Sequence, residues 1–138
     1  MVSKDLEEKL LSRHNEAIEN EFYLEAIAIV FHLLELRTRS VITTFSGTVP
    51  GNKVKIKKAI IRIKKHRKQH PSLESHFTNA LFNQVLDWKT ARDNLMHQLV
   101  RDDLDNFDVD KIAANGLAVY NDFTDAHASW LKDFHSQS

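Results

Sequence analysis

The sequence predicts an all-α fold: an antiparallel bundle of four or five helices, built as one domain over residues 1–138. Three observations lead there. Apolar residues recur at spacings of three and four through most of the chain. Glycine and proline number only 3 and 2, too few turn residues for a many-stranded β protein. At 138 residues, 42% hydrophobic and 28% charged, the chain is long enough to bury a core without staples.

The first helix is expected from just after Ser3 to about Ile18. Ser3 is placed to cap it, and Asp5, Glu7 and Glu8 suit the positive end of its dipole. The pattern restarts near Asn20. Phe22 to Phe45 then reads as one long helix, apolar nearly all round through Ile27, Phe31, Leu34, Val41 and others, so it belongs at the centre. Within it, His32 reads as a core histidine, and Glu35 and Arg39 are spaced to pair. Ser46 to Asn52 is the clearest loop. Its G-x-x-x-G-N-K pattern lacks the Walker spacing and follows a helix, so it is not a phosphate loop. Val54 to His70 predicts a third helix with Ile56, Ile60 and Ile63 as a narrow apolar stripe, ended by Pro71. Pro71 to Val100 predicts a fourth, in which Phe77, Leu81, Val85, Trp88, Leu95 and Leu99 repeat at three and four. Arg101 to Asp108 is an acidic, polar loop. Val109 to His135 predicts the last helix, with Gly116, Tyr120, Phe123, His127 and Trp130 on its inner face.

Composition removes several function classes. Cysteine is absent, which excludes a disulfide framework, a thiolate metal site and a cysteine nucleophile. The apolar stretch from Phe22 to Leu36 carries Glu25, His32 and Glu35 and is too short and too charged to span a bilayer. Met1 to Asp5 run into the charged Leu6-Glu7-Glu8-Lys9 segment, so no secretory leader is expected and the reading is cytoplasmic, with no membrane partner.

The net charge of zero conceals a division. Lys53 to Lys68 holds nine basic residues and no acidic one, which leaves the remainder at −9. Such asymmetry suits a polyanion; it also suits a basic helix lying beside acidic termini. The eight histidines do not resolve into a site. His66 and His70 share a helix face but lack the glutamate of H-E-x-x-H and sit among lysines that repel cations, so no metal site is expected. His14, His76, His127 and His135 have no local partner that sets them apart from ordinary surface or interface histidines. No Ser-His-Asp order or carboxylate pair stands out.

Arg92-Asp93-Asn94-Leu95-Met96-His97 does stand out. At 100° per residue, Arg92 lies about 60° from Phe77, on the apolar side, where an arginine is not a solvated charge. His97 is about 140° from Arg92. The pair flanks a sector holding Lys89, Asp93, Met96 and Val100. The two side chains do not stack; they can converge on something laid across that sector, such as a second subunit or a strand of substrate. The plainer alternative is an arginine snorkelling from the core edge and an ordinary surface histidine.

The same six residues resemble the R-x(4-6)-H signature of the HEPN superfamily, in its four-spacer form, with Asp93 as the polar residue after the arginine. Trp88 before the motif, Leu99 after it, the acidic loop, the last helix with Gly116, and a central helix carrying Glu25, Glu35 and Arg37 are similar to the family's layout over most of the chain. The resemblance implies helical bundles that dimerise with their motifs facing one cleft. Many such proteins are metal-independent endoribonucleases of toxin–antitoxin, phage-defence or RNA-processing systems; others are inactive binding modules.

Carried over by position, Arg92 and His97 are catalytic and Asp93 orients one of them, with no cofactor or metal. Lys57, Lys58, Lys64, Lys65 and Lys68 would hold RNA, Met96 and Val100 would lie in a homodimer interface, and an antitoxin protein is a further expected partner. The chemistry suits the residue types: a histidine moves a proton near neutral pH, and a guanidinium stabilises a phosphorane-like transition state. One family subgroup, partnered by a nucleotidyltransferase antitoxin, carries a tyrosine two residues after the histidine. Here that position is Leu99, which argues against regulation at such a tyrosine. The competing reading is a catalytically inactive HEPN-like module that binds a protein or nucleic acid.

Overall fold

The computed structural model describes residues 4–101 and 107–136. Among them all regular structure is helical: α1 Lys4–Glu19, α2 Tyr23–Ser46, α3 Ile56–His66, α4 Pro71–His76, α5 Asn79–Val100 and α6 Val109–Ser136. The proposed Ser3 cap and most of the acidic loop after Arg101 lie outside the described residues. The all-α class and the central second helix hold. Ile27 and Leu34 are fully buried, and α2 packs against α1, α3 and α6. His32 is a correction. It falls on the one outward stripe of α2, with Glu25 and Ala28, and is exposed.

There are six described helices instead of four or five, because the Pro71–Val100 segment is broken at Phe77-Thr78. Periodicity runs straight through this point, but capping wins. Thr78 takes an extended conformation, and its hydroxyl accepts from the Leu81 N–H at 3.2 Å, opening α5. The break lets the Phe77 ring turn into the core. It meets Phe123 at 5.4 Å and Trp130 at 5.7 Å, ring centre to ring centre. The third helix is also shorter than expected and ends at His66, followed by a turn before Pro71.

The antiparallel expectation holds for two neighbouring pairs and fails for one. Glu7 and Arg37, then Arg13 and Glu25, join α1 to α2 in opposite senses. Gln84 reaches Asp122 while Trp88 reaches Ile112, so α5 and α6 are also antiparallel. In contrast, α3 runs in the same sense as α2. Gly47 ends α2 at φ 72°, and Val49, Pro50 and Asn52 fold back over Leu36, Ser40 and Thr43. Lys55 then meets Glu35 at 3.4 Å, and at the other end of α3 the His66 ring meets Phe45. The loop is long enough to return the chain to the middle of α2 before the new helix begins.

One glycine is there for contact rather than conformation. A Cβ on Gly116 of α6 would stand 2.6 Å from Cζ2 of Trp88. That indole is nearly buried and donates to the Ile112 carbonyl at 2.9 Å. Gly116→Ala therefore must displace the ring or separate α5 from α6. We expect a loss of about 1–3 kcal/mol, the usual range for overpacking, measured by urea unfolding. Unchanged stability would mean the indole has room to move.

Candidate functional site

The α5 helix holds the Arg92–His97 segment. Leu81, Val85, Trp88 and Leu95 are buried along one side of it. Arg92 follows Trp88 by four and precedes Leu95 by three, so it too is directed inward. Phe77, from which the sequence wheel was drawn, is not part of this helix, but the inward placement survives through Trp88 and Leu95. The Arg92 guanidinium carbon lies 3.9 Å from the centre of the Phe31 ring on α2. Its Nη1 donates to Asp93 at 3.0 Å, and its buried Nε has no acceptor among the described residues.

Asp93 also accepts from Lys89 Nζ at 2.7 Å. Burial pushes the Asp93 carboxyl up, but Lys89 and Arg92 outweigh it and hold the group below the ordinary aspartate range. Asp93 is thus ionised at neutral pH and steers one edge of Arg92. His97 lies on the exposed side of the helix, with no such partner described. Arg92 and Asp93 are joined, and His97 is not brought to them within one copy. Met96 is half-buried against the core edge, whereas Val100 is 88% exposed and Leu99 40% exposed.

The basic segment follows α3. Ile56, Ala59, Ile60 and Ile63 face inward, which turns Lys57, Lys58 and Lys65 outward; Lys68 is exposed in the turn beyond. Lys64 differs. It is half-buried, with its ammonium 5.6 Å from the centre of the Phe82 ring, and Arg67 lies beside it over the same ring. Among the described residues the ion pair made by this segment is Lys55 with Glu35. Phe31 and Glu35 are four apart on α2 and share a face. The seat of Arg92 and the anchor of the basic segment are therefore about 6 Å apart along that helix, one turn. Nothing in the sequence alone linked the two.

A second cluster was missed. On α2, Arg37 Nη2 donates to both oxygens of Glu7, at 2.5 and 2.7 Å, and Tyr120 of α6 donates to the same carboxylate. Arg37 Nη1 lies 3.1 Å from Nδ1 of His127. A guanidinium only donates, so Nδ1 accepts and the neutral ring carries its proton on Nε2. Glu7, Arg37 and His127 edge a cleft of about 410 Å³ between α1, α2 and α6, which Lys4, Glu8 and Leu11 also line.

Burial raises the Glu7 carboxyl, but hydrogen bonds from Arg37 and Tyr120 outweigh it and leave the pKa lowered. Burial, with the Arg37 charge beside it, pushes His127 down to about 4. No local spacing discloses this cluster, since Glu7 and Tyr120 are 113 residues apart. His14 and His127, which the sequence did not set apart from surface or interface histidines, are both buried, and burial lowers the His14 pKa as well. His76 pairs with Asp133 at 2.5 Å. Among the described residues no three metal-ligating side chains gather, and no helix is long and apolar enough to cross a membrane.

No family model, curated protein or solved structure matches this chain.

The buried histidines set an acid limit. His127 is neutral in the fold down to about pH 4, whereas in the unfolded chain it titrates near 6.5. Its contribution is complete above about 6.5 and is lost as pH falls toward 4, a difference on the order of 3 kcal/mol. His14 acts in the same direction. We expect urea stability to fall steadily over this window, and His127→Gln, which keeps an acceptor for Arg37, to make the fall shallower. An unchanged slope in the variant would remove His127 as a cause.

Proposed function

We propose that the chain is a HEPN-type endoribonuclease that cleaves RNA without a metal, at a site shared by two copies. The observation that carries this reading is the seat of Arg92. Its guanidinium carbon lies 3.9 Å from the centre of the Phe31 ring and one nitrogen is tied to Asp93, one helical turn of α2 from the anchor of the basic segment. A motif arginine fixed in this way is preorganised for an anion, and the exposed lysines beyond it supply a track for the RNA backbone.

His97 of one copy takes the proton from a ribose 2′-hydroxyl. The 2′-oxygen attacks phosphorus, the bond to the 5′-oxygen breaks, and His97 of the second copy protonates the leaving oxygen. Arg92 stabilises the charge gathered on the phosphoryl oxygens. The products are a 2′,3′-cyclic phosphate and a 5′-hydroxyl. Val100 and Leu99 are the exposed apolar residues beside the motif that suit an interface between copies. The role is that of a toxin or defence effector in the cytoplasm, held in check by an antitoxin protein.

The inactive-module reading has one observation in its favour. Asp93 already occupies Arg92, and within one copy His97 stands apart from both.

Purified protein incubated with RNA in chelator is expected to cleave it. His97→Ala should lower the rate by about 10²–10⁴-fold, and Arg92→Ala by about 10²–10³-fold. If the parent binds RNA and never cleaves it, the inactive module replaces the enzyme; if His97→Ala cleaves normally, the assigned site is wrong. Val100→Asp tests assembly more cleanly than Met96→Asp, because Met96 also packs on the core. It should weaken a dimer seen by sedimentation and leave helix content unchanged. A parent that sediments as a monomer at roughly tens of micromolar would overturn the shared site, since the association would be too weak to matter.

A further inference from the structure

The structure assigns Phe45, His66 and His70 a second task beside the motif: we propose that they form a stacking platform for an unpaired base of single-stranded RNA. The proposal rests on the RNA reading above but uses none of the residues of the Arg92–His97 helix.

Phe45 lies in the last turn of α2, His66 ends α3, and His70 closes the turn that follows. Their ring centres form a triangle of 4.6, 6.0 and 6.4 Å. Gln69 meets His66 Nδ1 at 3.3 Å and holds that ring. All three residues are half-buried and none is fully covered. The aromatic residues of the core differ, since Phe77, Phe82, Phe123 and Trp130 are fully covered. An aromatic group left at a molecular edge, beside outward lysines, is the arrangement that takes up an unpaired base while cations hold the adjoining phosphates.

The electrostatics agree. Residues 36–73 contain no acidic side chain. Arg62 stands one turn before His66 on the same side of α3, and Lys65 and Lys68 are exposed on either side of it in sequence. Those cations disfavour a metal ion at the His66–His70 pair and favour a phosphodiester. Duplex RNA hides its base faces, so the platform selects a single strand.

The test is equilibrium binding of the full-length chain in a His97→Ala background, which keeps the RNA intact. The probes are oligoadenylate, an abasic ribose-phosphate oligomer of equal length, and duplex RNA. Oligoadenylate should bind about tenfold more tightly than the abasic oligomer. Phe45→Leu should abolish that preference and leave the slope of affinity against salt unchanged. His66→Ala with His70→Ala is the second route to the same loss, should Phe45→Leu unfold the end of α2. Lys65→Gln with Lys68→Gln should act otherwise, weakening both oligomers alike and flattening the salt slope.

Equal binding of the two oligomers, a preference for duplex, or an intact preference in both ring variants overturns the platform. Binding of neither oligomer overturns it together with the basic RNA face. A base preference without cleavage by the parent chain leaves the platform standing and removes the ribonuclease reading.

Discussion

Between Tyr23 and Phe45, α2 leaves only Glu25, Ala28 and His32 exposed to water. A helix so nearly apolar all round has to be enclosed, and the arrangement of its neighbours follows from that demand. The α1 helix covers it antiparallel, α6 crosses it at Arg37, and α3 is brought back along it by the loop after Gly47. Its few polar positions become the points where partners attach: Arg37 to Glu7 and His127, Glu35 to Lys55. Even the motif arginine of α5 is positioned by an α2 side chain, Phe31.

Two kinds of buried electrostatics result. The Glu7–Arg37 pair is enclosed, with each partner supplied from a different helix and Tyr120 adding a donor. Removing one member would leave a charge without compensation, which costs far more than the intact pair contributes. Arg92 is only half enclosed. Its ring contact and its Asp93 pair fix the direction of the guanidinium, and part of it stays within reach of solvent. The first arrangement suits a structural tie between helices. The second suits a group meant to meet something else.

The helices were legible wherever burial sets a period. Ile56, Ile60 and Ile63 announced the inner face of α3; the angle to Phe77 placed Arg92 on the apolar side, and that side holds in α5 through Trp88 and Leu95 although Phe77 lies outside the helix. The break at Phe77-Thr78 was not legible, since the apolar spacing continues across it and a single hydroxyl cap decides the outcome. His32 misled because an apolar helix still needs one outward stripe, and neighbouring residues alone do not say which. The sense of α3 depended on how far a loop returns. The Glu7–Arg37–Tyr120–His127 cluster and the Phe31 seat both join residues far apart in the chain, and a pattern read within windows cannot find them. What local spacing supplied for the motif was its direction; its surroundings came from the packing of α2.

The α3 helix carries its own internal strain of charge. Lys58 and Arg62 are four apart and Arg62 and Lys65 three apart, so like charges repel along its outer face, by roughly 0.2–0.5 kcal/mol for each such pair. What keeps the helix formed is the isoleucine stripe pressed onto α2. Negative charge laid along the outer face, including the ion atmosphere of added salt, relieves that repulsion without touching the core. Occupancy of the basic face and thermal resistance of the whole bundle are thereby coupled: a polyanion that binds there raises the melting temperature, and its own affinity includes the repulsion it removes.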